Sequence, residues 1–437
     1  MKQEKYDVVV IGSGMGGLCA AALLAHQGYR TLVVEKLPLI GGRASSMEYK
    51  GFMLSTGSFY VETGGIVEAI FREVGADFEV HPFPVRLCFR IGGEDYELPE
   101  KGGLRRLISL FADNVETEKI MAAIRRAFTW KEPSSSLSVR DWLLQYTHNE
   151  QVLAIFKGLV TFQCVNFHEM PANEFIRQLK LAQGATAGVP PKGFSTLMKQ
   201  LVKAIEADHG EVWTRCRAKR ILVEDEVVRG VAVEKDGSEL EILAKVVISD
   251  VGPQETATLA GSENFERGYL KELREKVLPV SFIGLAIASD RPLIDYPGVL
   301  VLTEARRAVS MVCSSLTCPE LAPPGKHLLM AYSAPGSSFL LQRPEKEIEL
   351  VIQDLRDNLP RFDREAEVFH TSYWQRDWPI YRALPGLLSQ KTSVENLYNV
   401  GDGVAPLVPL GLPGCAESAR IVVEEVKQRI RPEALVP

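Results

Sequence analysis

The chain opens on an uninterrupted apolar run, Val8-Val-Val-Ile11, rich in β-branched residues and without polar alternation. That pattern suits a parallel strand covered on both faces. From Gly14 to Gln27 the spacing becomes helical and the side chains small (Ala20, Ala21, Ala22, Ala25), with Gly28 as the stop signal. Thr31 to Glu35 then reads as a second strand, which completes a strand–helix–strand unit within roughly 30 residues. Beyond it the pattern changes. Between about Phe78 and Ala187 the periodicity predicts amphipathic helices, among them Leu104 to Phe111 and Glu116 to Trp130, with a polar break at Pro133 to Ser138. A helix is predicted from Phe194 to Ala207 after the turn Pro190-Pro-Lys-Gly193, followed by strands at Arg220–Val223, Val228–Val233 and Val246–Ser249. Residues 263 to 385 mix strands and helices, and the chain closes with a strand (Leu397 to Val400), a Gly/Pro-rich loop and a helix from about Cys415 to Ile430.

Composition narrows the classes. The 18 uncharged residues from Val8 to Ala25, after a charged start, imitate a signal peptide or a membrane span. Gly12, Gly14, Gly16 and Gly17 fall within the first ten of them, where each would weaken a continuous helix by about 1 kcal/mol, so a strand, a turn and a helix explain the run better. The 437 residues carry a formal charge of −6 and no basic run, which argues against a nucleic-acid partner. Seven cysteines without a C-x-x-C pair suggest neither a disulfide framework nor a zinc site, and fit a reducing, cytoplasmic setting.

Candidate chemistry begins at Gly12-Ser13-Gly14-Met15-Gly16-Gly17, between the first strand and its helix. Gly12 permits the tight turn, Gly14 lets backbone approach a diphosphate, and Gly17 allows close helix–strand packing. The helix N-terminus then offers N–H groups and partial positive charge to an anion. Glu35 ends the second strand 18 residues after Gly17, where a carboxylate can accept both hydroxyls of an adenosine ribose and would repel a 2′-phosphate. Lys36 follows it, and Gly41-Gly42-Arg43 then places a guanidinium near the diphosphate. Far downstream, Gly401-Asp402-Gly403 and Leu410-Gly-Leu412-Pro-Gly414 supply a second turn and helix start. That helix dipole would stabilise negative charge on a reduced flavin, which favours FAD over NAD.

These segments, the first sixty residues together with roughly 186–260 and 370–430, resemble the phytoene desaturase (carotenoid oxidoreductase) branch of the FAD-dependent amine oxidase superfamily. The resemblance implies an α/β fold in which a Rossmann-type FAD-binding domain is built from discontinuous segments, 1–77, 188–262 and 386–437. An α+β substrate-binding domain, 78–187 and 263–385, would be inserted between them. It also implies that Gly12, Gly14 and Gly17 line the diphosphate, Glu35 holds the ribose and the backbone of Ala218 reads the adenine. Arg43 would sit near the phosphates and Asp402 would face the ribityl chain. Gly57 and Ser58 would pass the flavin N5 edge, and Leu412 to Ala416, Cys415 included, would cover the N1 side. Ser13, Met15, Gly16, Lys36, Gly41, Gly42 and Gly401 complete the expected cofactor set. The family's Gly-Phe-x-Phe-Asp-x-Gly-Pro reads Gly51-Phe-Met-Leu-Ser55-Thr-Gly57-Ser58 here, which leaves the local loop shape open. Cys415 follows Pro413-Gly414 rather than the family's attachment motif, so the FAD is expected to be non-covalent.

On the substrate side, the loop Val404 to Leu412 is aliphatic and lacks the aromatic cage an amine oxidase wants, which points to an apolar small molecule. Trp378 and Tyr381, from an aromatic stretch that resembles the family's substrate-facing strand, and Leu410 are the expected cavity walls; packing between domains is the competing explanation. His168 is a candidate proton carrier on its titration range, against a structural role. The expected reaction moves a hydride from an isoprenoid- or lipid-like carbon to flavin N5. A positioned base is dispensable if the carbon is allylic. A polyene or fatty-acid isomerase or saturase, an amine or protoporphyrinogen oxidase, and a non-catalytic prenyl-binding protein stay open as alternatives. So does peripheral membrane contact through a local apolar patch. The sequence carries no signal for an oligomeric state.

Overall fold

The computed structural model describes residues 5–84, 87–98, 102–181, 186–384, 388–404 and 411–432. The expectations for Leu410 and most of the aliphatic loop before Leu412 lie outside those residues. Seven strands form the first sheet: β1 (Lys5–Ile11), β2 (Thr31–Val34), β3 (Glu211–Trp213), β4 (Cys216–Glu224), β5 (Val227–Lys235), β6 (Ser238–Ser249) and β7 (Leu397–Asn399). The order β3-β2-β1-β6-β7 is parallel throughout, with Val8 opposite both Thr31 and Val246, and Val247 opposite Leu397. β4 and β5 continue antiparallel from the first half of β6.

Helices α1 (Met15–His26), α2 (Phe194–Ala207), α3 (Pro253–Ala260) and α4 (Leu412–Arg429) cover this sheet. The unbroken apolar run of β1 has its explanation here, because both of its faces are buried. Val8 and Val10 join Val246 and Ile248 against α1, α2 and α4, whereas Val9 and Ile11 join Leu32 and Val247 against α3. Each such side chain contributes roughly 1.5–3 kcal/mol by leaving water. Residues Met15 through Ala25 of α1 are all buried, and its alanines let neighbouring helices close in. The run from Val8 to Ala25 is therefore half strand, half helix, and no helix among the described residues is long and apolar enough to cross a membrane.

Two differences from the sequence reading have local causes. β6 is twelve residues long instead of the four at Val246–Ser249, because its first half is the partner of β5 across a two-residue turn. Asp236 and Gly237 both take positive φ there (50° and 76°), the hairpin geometry that Asp-Gly favours. The polar Ser238, Glu239 and Glu241 of that half hide its strand character. The edge strand β3 offers only Glu-Val-Trp, too short for a period to register.

The second sheet runs Glu367–Trp374, Phe282–Ser289, His327–Ser333, Ala308–Cys313, Val299–Leu302, Leu87–Ile91, Glu94–Glu97 in space. Only Val299–Leu302 with Leu87–Ile91 is parallel. Helices Asn114–Thr129, Val139–Leu143, Glu150–Thr161 and Ala172–Leu181 pack around Ile124, Trp142, Phe156 and Phe175. Val61–Thr63, Thr186–Val189 and His81–Pro82 form a separate three-stranded antiparallel sheet with Thr186–Val189 in the middle.

Candidate functional site

Five parallel strands present their carboxyl ends along one edge of the first sheet. The loops that leave them, after Ile11, Val34, Ser249 and Asn399, therefore emerge together, the position at which open α/β sheets bind ligands. A cleft of about 620 Å³ opens there, within the range of cofactor sites.

At one end of the cleft, Gly12 adopts φ 96° directly after β1, and Gly14 caps α1 without contributing a side chain. A Cβ on Gly14 would stand 2.3 Å from Asp250 Oδ2, so any side chain there would have to displace the Asp250 carboxylate. Glu35 is 7% exposed and already engaged: Ser13 N and Oγ donate to Oε2 at 3.0 and 2.7 Å, and Leu37 N donates to Oε1 at 2.8 Å. With three of about four acceptor positions in use, Glu35 has room for one further hydroxyl rather than two.

The middle of the cleft is a charge cluster drawn from four distant segments. Arg43 donates from Nη1 and Nη2 to the two oxygens of Asp402, each at 2.6 Å, and from Nη1 to the carbonyls of Pro379 and Ile380. Arg382 N also donates to Asp402 Oδ2. Burial alone would push the Asp402 carboxyl up, but Arg43 outweighs it and holds the group below the ordinary carboxylate value. Asp250 follows β6, and its carboxyl accepts Gly17 N at 2.9 Å. Desolvation raises this carboxyl to about 7 against the opposing Gly17 hydrogen bond. The Arg382 guanidinium is lowered by desolvation and by Arg43, and its Nε is buried without a hydrogen-bond partner.

The far end is walled by Phe59, Tyr60, Phe162, Cys164, Trp378, Ile380 and Tyr381. Tyr60 and Phe162 stack on each other, centroids 6.0 Å apart and planes within 5°. Cys164 and Tyr381 are hydrogen-bonded partners, and burial pushes the thiol up to about 12 and the phenol well above its usual value. Glu62, buried on the strand Val61–Thr63, lines the same cleft two residues beyond Tyr60. The loop that departs from the family pattern is pinned by its own hydroxyls. Ser55 Oγ donates to Ser58 O and accepts Gly57 N, and Thr56 Oγ1 donates to Gly42 O at 2.8 Å. A Cβ on Gly57 would stand 2.7 Å from Arg43 O, so this glycine is what lets the loop lie against the Arg43 backbone.

The structure brings Gly12, Ser13, Gly14, Met15, Glu35, Lys36, Gly41, Gly42, Arg43, Gly57, Ser58, Ala218, Asp402, Leu412 and Cys415 onto the cleft, together with Trp378 and Tyr381. It does not bring all the expected residues there. Gly16, Gly17 and Gly401 lie behind the wall as packing glycines; a Cβ on Gly16 would meet Gly401 N at 2.7 Å, and one on Gly17 would meet Gly12 O at 2.3 Å. His168 is exposed on the turn before Met170 and lines no part of the cleft, because Phe167 and Met170 take the inward positions. Asp250, Arg382, Tyr60, Phe162, Cys164 and Glu62 were missed. Asp250 carried a usable signal, an acid at a strand end before Gly-Pro. Arg382 carried none.

This cleft, with its glycine turns, helix start and buried charge cluster, is laid out for a dinucleotide cofactor carrying an anion. The chain belongs to the flavin-containing amine oxidoreductase family, which matches residues 15–427, and it is an FAD-dependent oxidoreductase of phytoene desaturase-like type. It is 26% identical over 424 residues to an uncharacterized protein of Methanocaldococcus jannaschii, covering 95% of this chain and 98% of that one. It is 22% identical over 463 residues to the 15-cis-phytoene desaturase of Capsicum annuum, covering 97% and 78%. Among solved structures, an oxidoreductase from Methanosarcina mazei superposes with a TM-score of 0.84 at 27% identity, over 96% of this chain and all of that one.

Proposed function

We propose that the protein is a desaturase-type dehydrogenase that removes a hydride from an apolar, isoprenoid- or lipid-like molecule. In this reading residues 1–77, 188–262 and 386–437 form a Rossmann-type domain that holds FAD non-covalently, and residues 78–187 and 263–385 form an inserted substrate-binding domain. The buried, unpartnered Arg382 Nε and the glycine cradle at Gly14 fit a diphosphate. Gly12 to Met15 would hold it, Glu35 and Ser13 the ribose, and the Ala218 backbone the adenine. Asp402 and Arg43 would flank the ribityl chain, and Gly57, Ser58, Leu412 and Cys415 the ring. Burial pushes the Cys415 thiol well above its usual value, which disfavours the thiolate a covalent link would need.

When bound, the flavin supplies a two-electron acceptor for the hydride. The observation that carries the substrate class is the cluster of apolar side chains lining the cleft, Phe59, Phe162, Trp378 and Ile380 among them. Tyr60 and Phe162 lie too close to serve as an amine cage, since a group between two rings needs a gap of about 7 Å. The likeness to a phytoene desaturase supports the same class. Cys164 and Tyr381 stay protonated at neutral pH and orient rather than abstract. Glu62, which lines the same cleft, would accept the proton lost beside the hydride.

Holoenzyme mixed anaerobically with phytoene is expected to lose its visible flavin absorbance, and unfolding is expected to release the flavin into the supernatant. Bleaching by a primary amine but not by the polyene would overturn the reading. A rearranged polyene without net oxidation would assign the isomerase alternative. Glu62→Gln is expected to slow the bleaching by about a hundredfold or more, the scale of a lost general base, with flavin content unchanged. An unaltered rate would return the proton to solvent.

A further inference from the structure

The Gly-Gly-Arg pattern offers Arg43 to the diphosphate, yet that guanidinium is committed within the protein to Asp402 and to the carbonyls of Pro379 and Ile380. Arg382 lines the same cleft with its Nε buried and unpartnered. Its side chain lies along Gly252, where a Cβ would come within 2.7 Å of Cδ and 2.9 Å of Nη1, at the start of α3. Asp250 sits between the two glycine loops. Its Oδ2 is 2.3 Å from where a Gly14 Cβ would be, and its Oδ1 is 2.4 Å from that of Gly401. An anion entering here meets an uncommitted guanidinium and a carboxylate at the same place.

Resting on the flavin reading above, we infer that Arg382 is the cation that answers the cofactor's diphosphate, and that Asp250 takes up a proton when the diphosphate binds. The charges require both. Arg43 and Arg382 against ionised Asp402 and Asp250 sum to zero, which gives a dianion no net attraction. A proton on Asp250 leaves the cluster positive. The groups facing Asp250 are Asp402, Arg382 and Arg43 from the loops, Cys19 from α1 and Cys415 from α4. The two thiols are themselves pushed up by burial and stay neutral. Desolvation already sets the Asp250 carboxyl at about 7, and a nearby dianion raises it further. The bound form therefore holds more protons than the free form above that value. Affinity must fall as pH rises through and beyond it, by up to about tenfold per pH unit for one proton.

The test titrates flavin-stripped protein with FAD, and separately with ADP, which keeps the diphosphate and lacks the ring, from about pH 7.5 to 9, where the terminal phosphate of ADP stays fully ionised. Both affinities are expected to fall with pH, and calorimetry in buffers of different ionisation enthalpy is expected to count close to one proton taken up. Asp250→Asn is expected to flatten the profile. Arg382→Gln is expected to weaken FAD and ADP by the same factor, about ten- to a hundredfold for a lost charged hydrogen bond, and Arg382→Lys to restore part of it. A flat wild-type profile without proton uptake overturns the role of Asp250, even if its variant does not fold. Weakening of FAD but not ADP, or of neither, overturns the role of Arg382. Protein that binds no FAD at any pH refutes the flavin reading instead.

Discussion

Asp402→Ala is expected to lower the unfolding free energy by about 3–5 kcal/mol, the cost of stranding a buried charge, and to leave the purified protein colourless. The carboxylate is 4% exposed and accepts both Arg43 Nη groups and the Arg382 backbone N–H, so its removal strands the Arg43 guanidinium and leaves that amide without its acceptor. Arg43 keeps only the Pro379 and Ile380 carbonyls, which carry no full charge. Stability and cofactor retention can be separated by a second variant. Replacing the pair by similar-sized apolar groups, Arg43→Met with Asp402→Leu, removes the stranded charge and is expected to recover most of the stability. It should not recover the flavin, because the cluster that joins the loops after β2 and β7 is gone. Denaturant midpoints with visible absorbance on the same samples decide the matter. A double variant that regains both would show that the ion pair only braces the fold, and a single variant as stable as the parent would show that Arg43 finds another partner.

What could be read in the sequence and what could not divides along the range of the interactions. The β1–α1–β2 unit was legible because its signals are local: an unbroken apolar run, glycines at the turn and a small-residue helix, with observed bounds of Lys5–Ile11, Met15–His26 and Thr31–Val34. The helix at Phe194–Ala207 was legible for the same reason. The convergence of Gly14, Arg43 and Asp402 on one cleft was anticipated from motif order, and the structure places all three on its walls. Partnership was not legible. Arg43 turned out to be tied to Asp402 rather than left free, and Arg382 acquires its role from Gly252 and Asp402, more than a hundred residues before it and twenty after it. The aromatic end was legible only in part: Trp378 and Tyr381 were expected from their aromatic stretch and line the cleft, whereas Phe59, Tyr60 and Phe162 come from two other segments that carried no such signal. His168 failed because a titratable side chain among apolar letters says nothing about which of them faces inward; Phe167 and Met170 do.

Gly17→Ala is expected to abolish flavin retention although the residue never touches the cleft. Its α-carbon lies where α1 crosses the end of β1, and an added Cβ would stand 2.3 Å from Gly12 O and 3.2 Å from Asp250 Cβ. Backbone oxygen cannot yield as a flexible side chain can, because Gly12 N donates to Val34 O at 2.9 Å and Asp250 N to Ile11 O at 2.8 Å. Relief must come from moving α1 away from the sheet, which costs about 1–3 kcal/mol as overpacking does. That outweighs the gain of roughly 1 kcal/mol that alanine brings to a helix interior. The same displacement breaks the Gly17–Asp250 hydrogen bond and carries the helix N-terminus out of register with the Gly12 turn, so the anion site is lost along with packing. Gly268→Ala is the matched control. It sits in the helix Arg267–Lys276 with nothing within 4 Å of its added Cβ, and it should leave colour unchanged and stability equal or higher. Flavin content per protein, measured on both variants beside a denaturant titration, separates helix propensity from steric displacement. A yellow Gly17→Ala protein of parental stability would mean that α1 does not pack on β1 at this distance.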